Sequence, residues 1–254
     1  MNNTTWIAGT PRTGSMLTFN ITREIFRIKG RNIKPLQVPQ SDQEMISCFL
    51  TEANSDANPS NQYIFKVHTL LNTNLPNSKY IVNIRNPFDI CASFYQFMKC
   101  DINYAIKIAK AHSAVIKHYQ NCEYNQIIFI RYEDLEKDLA SEIEKIASFL
   151  DINLDIVLAN KISSKFSKSS VSKLIDKITK NLEKKISLNN LIKDESIVKI
   201  SANNYRAFDV NTGFQTGHIS NRNSGEWHKL FNQKEISIIK SELLEHAEQL
   251  GYQY

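Results

Sequence analysis

A short loop near the start of the chain, Gly9-Thr10-Pro11-Arg12-Thr13-Gly14-Ser15, joins the apolar run Trp6-Ile7-Ala8 to a segment with helical apolar spacing. A glycine-containing turn between a strand and a helix gathers backbone N–H groups at the helix N-terminus, where the dipole favours negative charge. The chemistry of such a turn is the holding of a phosphate-type anion. Its glycines stand at the spacing of a nucleotide-kinase loop, G-x-x-x-x-G-K-[ST], but Ser15 takes the lysine position and Met16 follows it. The lysine that reaches the β/γ-phosphates and the hydroxyl that binds magnesium are both missing, and a cation, Arg12, stands inside the loop instead. A second anion-binding pattern lies in Ile84-Arg85-Asn86-Pro87-Phe88-Asp89-Ile90-Cys91-Ala92-Ser93. Arg85 closes an apolar run, Asn86-Pro87 stops it and starts a helix, and Ser93 follows two helical turns later. A guanidinium fork and a hydroxyl so placed can grip one phosphate. The alternative for Arg85 is a structural ion pair with Asp89, and for the glycine loop alone, an ordinary strand-to-helix turn.

These groups need a scaffold that brings strand ends together. Trp6–Ala8, Tyr63–Val67, Tyr80–Ile84 and Ile127–Ile130 are continuously apolar or nearly so, as strands buried on both faces tend to be. Helical patterns separate them: Met16 to Ile28, Pro87 to Met98, Tyr104 to Tyr119 and Leu139 to Leu150. Strands alternating with helices predict an α/β fold, a P-loop-like three-layer α/β/α arrangement with a central, mostly parallel sheet. Open sheets of this kind bind ligands at the carboxyl edge of their strands, where Arg85 would stand. Lys34 to Asn61 is polar and carries Pro35, Pro39 and Pro59, so irregular structure around a short helix is expected there. Lys161 to Lys193 turns to Lys, Ser, Ile and Asn, which reads as solvated faces of amphipathic helices or as a lid. Gln233 to Leu250 forms a last helix, capped by Asn232.

The 254 residues suit a single domain, 1–254, with a Lys/Ser-rich helical acceptor-side or lid segment around 155–218. A net charge of +5 is modest, and no basic stripe with interleaved aromatics marks a nucleic-acid partner. Cys48, Cys91, Cys100 and Cys122 form no CxxC pair and have no histidine at metal-ligand spacing, so free thiols in a reducing compartment and no bound metal are expected. No signal peptide or long apolar run is visible, which points to a cytoplasmic protein without a membrane partner. His112, His118, His228 and His246 fall on helical or helix-adjacent stretches and are expected at the surface.

Five segments, in order, give the chain a resemblance to the sulfotransferases that use 3′-phosphoadenosine 5′-phosphosulfate (PAPS). Pro11-Arg12-Thr13-Gly14-Ser15 resembles the family's 5′-phosphosulfate loop, Pro-Lys-Ser-Gly-Thr, and Lys66-Val67-His68 resembles its Lys-Thr-His segment. Arg85 to Ser93 resembles the 3′-phosphate motif Arg-Asn-Pro-x-Asp-x-x-x-Ser, Tyr132-Glu133-Asp134-Leu135 its Tyr-Glu-Asp-Leu, and Gly225-Glu226-Trp227 its Gly-x-Trp. Arg12 replaces the usual lysine, and Met16 stands where many members carry a second hydroxyl.

The resemblance implies transfer of a sulfuryl group from PAPS to a hydroxyl or amine-type nitrogen of a small metabolite, such as a specialised natural product, with release of 3′-phosphoadenosine 5′-phosphate (PAP). It assigns Pro11, Arg12, Thr13, Gly14, Ser15 and Met16 to the 5′ end of the donor, and Arg85 and Ser93 to the 3′-phosphate. Arg222 is the nearest donor ahead of Gly-x-Trp, His218 a weaker one, and Tyr132 borders the nucleotide pocket. His68, an imidazole of near-normal pKa, is the expected general base. Lys66, two residues earlier and so on the same face, offsets charge at the transferred group together with Arg12. The rivals are a P-loop-type small-molecule or nucleotide kinase with a degenerate loop, and a non-catalytic PAP-binding module. The Lys-x-x-x-Thr-Val-x-x-x-Glu dimer segment of animal relatives is not found, and the sequence is compatible with a monomer or a homodimer.

Overall fold

The computed structural model describes residues 4–71, 75, 78–121, 126–187, 196–201, 204–220 and 222–253. Five parallel strands form one sheet: β1 (Thr4–Ala8), β2 (Asn32–Lys34), β3 (Asn61–Val67), β4 (Ser78–Ile84) and β5 (Ile127–Arg131), in the order β2-β3-β1-β4-β5. The apolar runs expected as strands are all present, each extended by one or a few residues. Every residue of β1 is buried, which explains why its sequence shows no alternation. β2 and an antiparallel hairpin, β6 (Ile197–Ser201) with β7 (Asn204–Ala207), are additions that sequence patterning missed. β2 is only three residues long, and neither element carries a sustained apolar period.

Helices flank the sheet, giving the three layers that the alternation of elements implies. Helix α1 (Ser15–Ile28) packs on β1 and β3 and touches α6 (Leu139–Phe149), which the short α5 (Tyr132–Lys137) joins to β5, and α7 (Ile156–Phe166). Helix α3 (Pro87–Met98) joins α4 (Ile102–Gln120) and the terminal α9 (Gln233–Gln249) in a second apolar cluster around Phe88, Trp227 and Leu243. The short α2 (Asp42–Cys48), continued as one π-helical turn over Phe49–Ala53, is the helix expected within Lys34 to Asn61. Asn232 caps α9 in a reciprocal box with Glu235. The Lys/Ser-rich stretch forms α7 and α8 (Lys168–Ser187), while positions 188–193 lie outside the described residues, as does Cys122.

Parallel pairing sets the site. Ala8 of β1 pairs with Val67 of β3 and Val82 of β4, and Ile84 of β4 pairs with Arg131 of β5. The residues that follow these strands, Gly9, His68, Arg85 and Tyr132, therefore emerge along one carboxyl edge, with β1 between its two neighbours.

Candidate active site

The glycine loop is held by its own side chains. Thr13, fully buried, donates from Oγ1 to the Thr10 carbonyl at 2.9 Å, so its hydroxyl is turned inward as a brace. Gly14 adopts φ 86° ahead of α1, and a Cβ there would stand 2.6 Å from Cδ2 of Tyr132. Glycine thus serves both the left-handed backbone and the close approach of the loop to the ring. Arg12 adopts φ 73°, an uncommon conformation for a residue with a Cβ, which costs about 1–2 kcal/mol. No side chain caps the start of α1. Its free N–H groups face a cleft of about 960 Å³, whose wall includes Pro11, Arg12, Gly14, Ser15 and Met16.

Arg12 and Arg85 meet at this cleft. Arg85 donates from Nη1 to the Arg12 carbonyl at 2.8 Å, and its guanidinium lies 3.9 Å from the centre of the Tyr132 ring. Arg12 donates from Nε to Ser93 Oγ at 2.9 Å and from Nη2 to the His218 carbonyl at 2.9 Å. Ser93 is therefore engaged by Arg12, and an ion pair with Asp89, the alternative role for Arg85, is not what fixes it. The Asp89 carboxylate instead accepts the Gly225 N–H at 2.8 Å, anchoring the loop that carries Arg222. Arg222 approaches the Ala92 carbonyl of α3 and lies electrostatically close to Asp89 and Arg85, while its neighbours Asn223 and Ser224 line the cleft. Burial, followed by the charge of Arg85, pulls Arg12 down to about 9. A buried guanidinium whose largest charged neighbour is another cation is a place where an anion lowers the energy. Arg85 Nε is buried with no hydrogen-bond partner, a donor still free for such an anion.

On the other side of the loop, His68 and Lys66 form a pair at the end of β3, Nε2 to Nζ 3.1 Å. His68 Nδ1 lies 2.7 Å from the Gly9 carbonyl, an atom that only accepts, so Nδ1 carries the proton and Nε2 holds the lone pair. The expectation of a near-normal imidazole is corrected here: burial first, then Lys66, hold His68 at about 4. Lys66 is lowered as well, by burial. The structure also places His218 close to Arg12, Lys66 and His68, with its ring 5.5 Å from that of Phe97. Phe97 lies under the guanidinium of Arg12 at 4.3 Å and that of Arg206 at 3.9 Å, and Phe94, Met98, Phe214 and Ile219 make this end of the cleft apolar.

Two residues of the site escaped the reading of the sequence. Asp42, at the start of α2, accepts the N–H groups of His68 at 2.8 Å and Thr69 at 2.7 Å, and it lines the cleft. No local pattern marks it. His112 is buried rather than exposed: Nε2 accepts the Arg85 N–H at 3.1 Å, and Nδ1 lies 2.9 Å from Thr10 Oγ1. A signal for it did exist, since Ala105, Ala109, His112 and Ile116 follow one apolar helix face. Of the other three histidines only His228 is exposed; His118 and His246 are half-buried and hydrogen-bonded. Among the described residues, the cysteines Cys48, Cys91 and Cys100 are free, no cluster of metal-ligating side chains occurs, and no helix is long and apolar enough to cross a membrane.

No curated protein sequence matches the chain. A retinol dehydratase solved with androsterone and inactive cofactor PAP is similar in fold, with 13% identity and a TM-score of 0.61 over 99% of this chain and 82% of that one. Mouse sulfotransferase SULT7A1 complexed with PAP gives 16% identity and a TM-score of 0.61, covering 96% of this chain and 84% of its own. The sulfotransferase domain from the curacin biosynthetic pathway gives 16% identity and a TM-score of 0.51, covering 100% and 99%. The family model for the sulfotransferase domain matches residues 2–250, and by that match the chain belongs to the sulfotransferase family.

Proposed function

We propose that this enzyme moves a sulfuryl group from PAPS to a hydroxyl or amine-type nitrogen of a small metabolite and releases PAP. The observation that carries the reading is the meeting of the glycine loop with the Arg85–Ser93 motif through Arg12, beside the Lys66–His68 pair. A donor with phosphates at both ends of one nucleoside needs two anion sites a short distance apart. The uncapped start of α1 and the unpaired Arg85 Nε suit it.

Bound there, the donor supplies an activated sulfuryl group whose leaving group is a phosphate. Arg12 to Met16 hold the 5′ end through backbone N–H groups and the Arg12 side chain, with Pro11 shaping the loop; Arg85, Ser93 and Arg222 hold the 3′-phosphate, and Tyr132 borders the nucleoside. His68, in the wall of the cleft, is neutral at pH 7 with an unprotonated Nε2 that Lys66 now meets, the protonation state a general base requires. Lys66 and Arg12 stabilise negative charge at the transferred group. An anion beside Lys66 offsets its charge and raises His68 toward the ordinary imidazole range, which strengthens the base when the donor side is filled.

We read the chain as one domain in which 155–218 borders the acceptor side. Ser163, Phe166 and Val171 of α7 and α8 line the cleft, as do Phe214 and His218. An apolar aromatic wall beside His68 suits a small organic acceptor such as a specialised natural product. The test is calorimetric binding of PAP, followed by mass-spectrometric screening of acceptors with PAPS. Failure to bind PAP, or ATP-dependent phosphorylation without PAPS, overturns the proposal.

A further inference from the structure

The Tyr-Glu-Asp-Leu segment after β5 leads from the donor site to the C-terminal tail. Strand β4 ends at Ile84, and the next two backbone N–H groups, of Arg85 and Asn86, leave the sheet. Buried N–H groups need acceptors. That of Arg85 is taken by His112 Nε2 at 3.1 Å, and that of Asn86 by Glu133 Oε1 at 3.0 Å. The chain is thus bracketed on both sides of the Arg85 Cα, which sets the direction in which the guanidinium leaves the backbone. Asn86 is further fixed as the cap of α3, its side chain accepting the Phe88 N–H at 3.0 Å.

Glu133 is itself held from the far end of the chain. Its second oxygen, Oε2, accepts a hydrogen bond from Tyr252 Oη at 2.8 Å. The tail is clasped at the same place by Arg131, which donates from Nη2 to the Leu250 carbonyl at 2.8 Å and lies 4.9 Å from the centre of the Tyr252 ring. The Tyr252 ring packs against both apolar clusters, so the hydroxyl is presented from a supported base. Burial and Glu133 keep the phenol protonated, and thus a donor.

We propose that Tyr252 is a positioning residue of the donor site, acting through Glu133 and the Asn86 backbone on Arg85. The inference rests on the reading of Arg85 as a phosphate ligand given above. A carboxylate with both oxygens engaged keeps one rotamer, whereas one with a free oxygen can turn toward solvent or toward Arg85 and neutralise it. Tyr252 therefore holds Glu133 on the backbone and leaves the Arg85 fork available to an anion.

The test measures PAP binding by calorimetry and thermal midpoints for the intact chain, Tyr252→Phe, Glu133→Ala and the double variant. Tyr252→Phe keeps the ring, its packing and the stacking of Arg131 on it, and removes the hydroxyl from Glu133 and from the edge of Arg131. We expect it to weaken PAP binding about three- to tenfold, less than the loss of a direct hydrogen bond to a charged ligand because the effect is relayed, and to lower the midpoint by no more than a few degrees. In the Glu133→Ala background the same change is expected to have no further effect, because the hydroxyl has lost the group it acts through. PAP affinity unchanged in Tyr252→Phe, or a loss equal in both backgrounds, overturns the inference and leaves the donor reading standing. Failure of the intact chain to bind PAP overturns both.

Discussion

The Arg85 guanidinium donates to the backbone carbonyl of Arg12 at 2.8 Å across 73 positions of sequence, so the glycine loop and the Arg85–Ser93 segment meet at one place. The contact leaves Nε of Arg85 buried and free, and brings the charge of Arg85 close enough to depress Arg12 further than burial alone does. Replacement by alanine removes the free donor and the charge together.

Arg85→Ala is expected to weaken PAP by about 1.5–3 kcal/mol, the value of a charge-assisted contact, or roughly 10- to 100-fold. Calorimetry on the purified variant checks it. Wild-type affinity in a folded variant removes Arg85 from the site.

His68→Ala is expected to lower turnover at least about 100-fold while PAP binding stays within a few-fold of wild type. The ring meets the loop through the Gly9 carbonyl and Lys66, and none of its contacts is with Arg85 or Ser93. Assay uses PAPS with an acceptor identified by the mass-spectrometric screen. Turnover within threefold of wild type shows that another group removes the acceptor proton.

The parallel sheet and the strand-end positions of Arg85 and His68 were legible because four of its buried strands are apolar runs with at most one polar interruption, and those of β3 and β4 are followed at once by His68 and Arg85. Gly14 was legible for the same local reason, a turn opening a helix. What escaped depends on partners distant in sequence. Asp42 means nothing until α2 is laid against the end of β3, and the burial of His112 follows from α4 crossing behind β4. The pKa of His68 escaped because depth and a neighbouring ammonium, rather than residue type, set it. The hairpin β6–β7 escaped because short strands that pair chiefly with each other need no continuous apolar face.

Acid should destabilise the fold in a window set by buried histidines. Burial, followed by Arg85, holds His112 at about 3, against an unfolded value near 6.5. Between those values the unfolded chain binds a proton that the folded chain refuses, so stability falls as pH drops below about 6.5. The slope is at most ~1.4 kcal/mol per pH unit for each such group. His68, at about 4, adds a second contribution over the upper part of the same range. Thermal midpoints are expected to decline from pH 6.5 to 4.5, and less steeply in His112→Gln, which carries no titratable group. Equal slopes for the two proteins assign the acid sensitivity elsewhere.

Asp42 tests whether the base is held by its backbone as well as by its ring. One carboxylate oxygen accepts both the His68 and the Thr69 N–H groups, so the chain leaving β3 is pinned where the imidazole begins. Asp42→Ala leaves two donors without an acceptor at the wall of the cleft, where water can reach them, and lets the segment move. Loss of alignment by about an ångström is enough to lower the rate tenfold or more. Turnover is therefore expected to fall at least about tenfold while PAP affinity holds, because the Arg12–Arg85–Ser93 contacts do not involve Asp42. Asp42→Asn, which retains an acceptor oxygen, is expected to keep more of the rate. Amide hydrogen exchange supplies the structural readout: the His68 and Thr69 amides should lose protection in Asp42→Ala and largely retain it in Asp42→Asn. Unchanged protection in the alanine variant means that the strand end is rigid without the carboxylate, and that any fall in rate comes from its charge on Lys66 and His68.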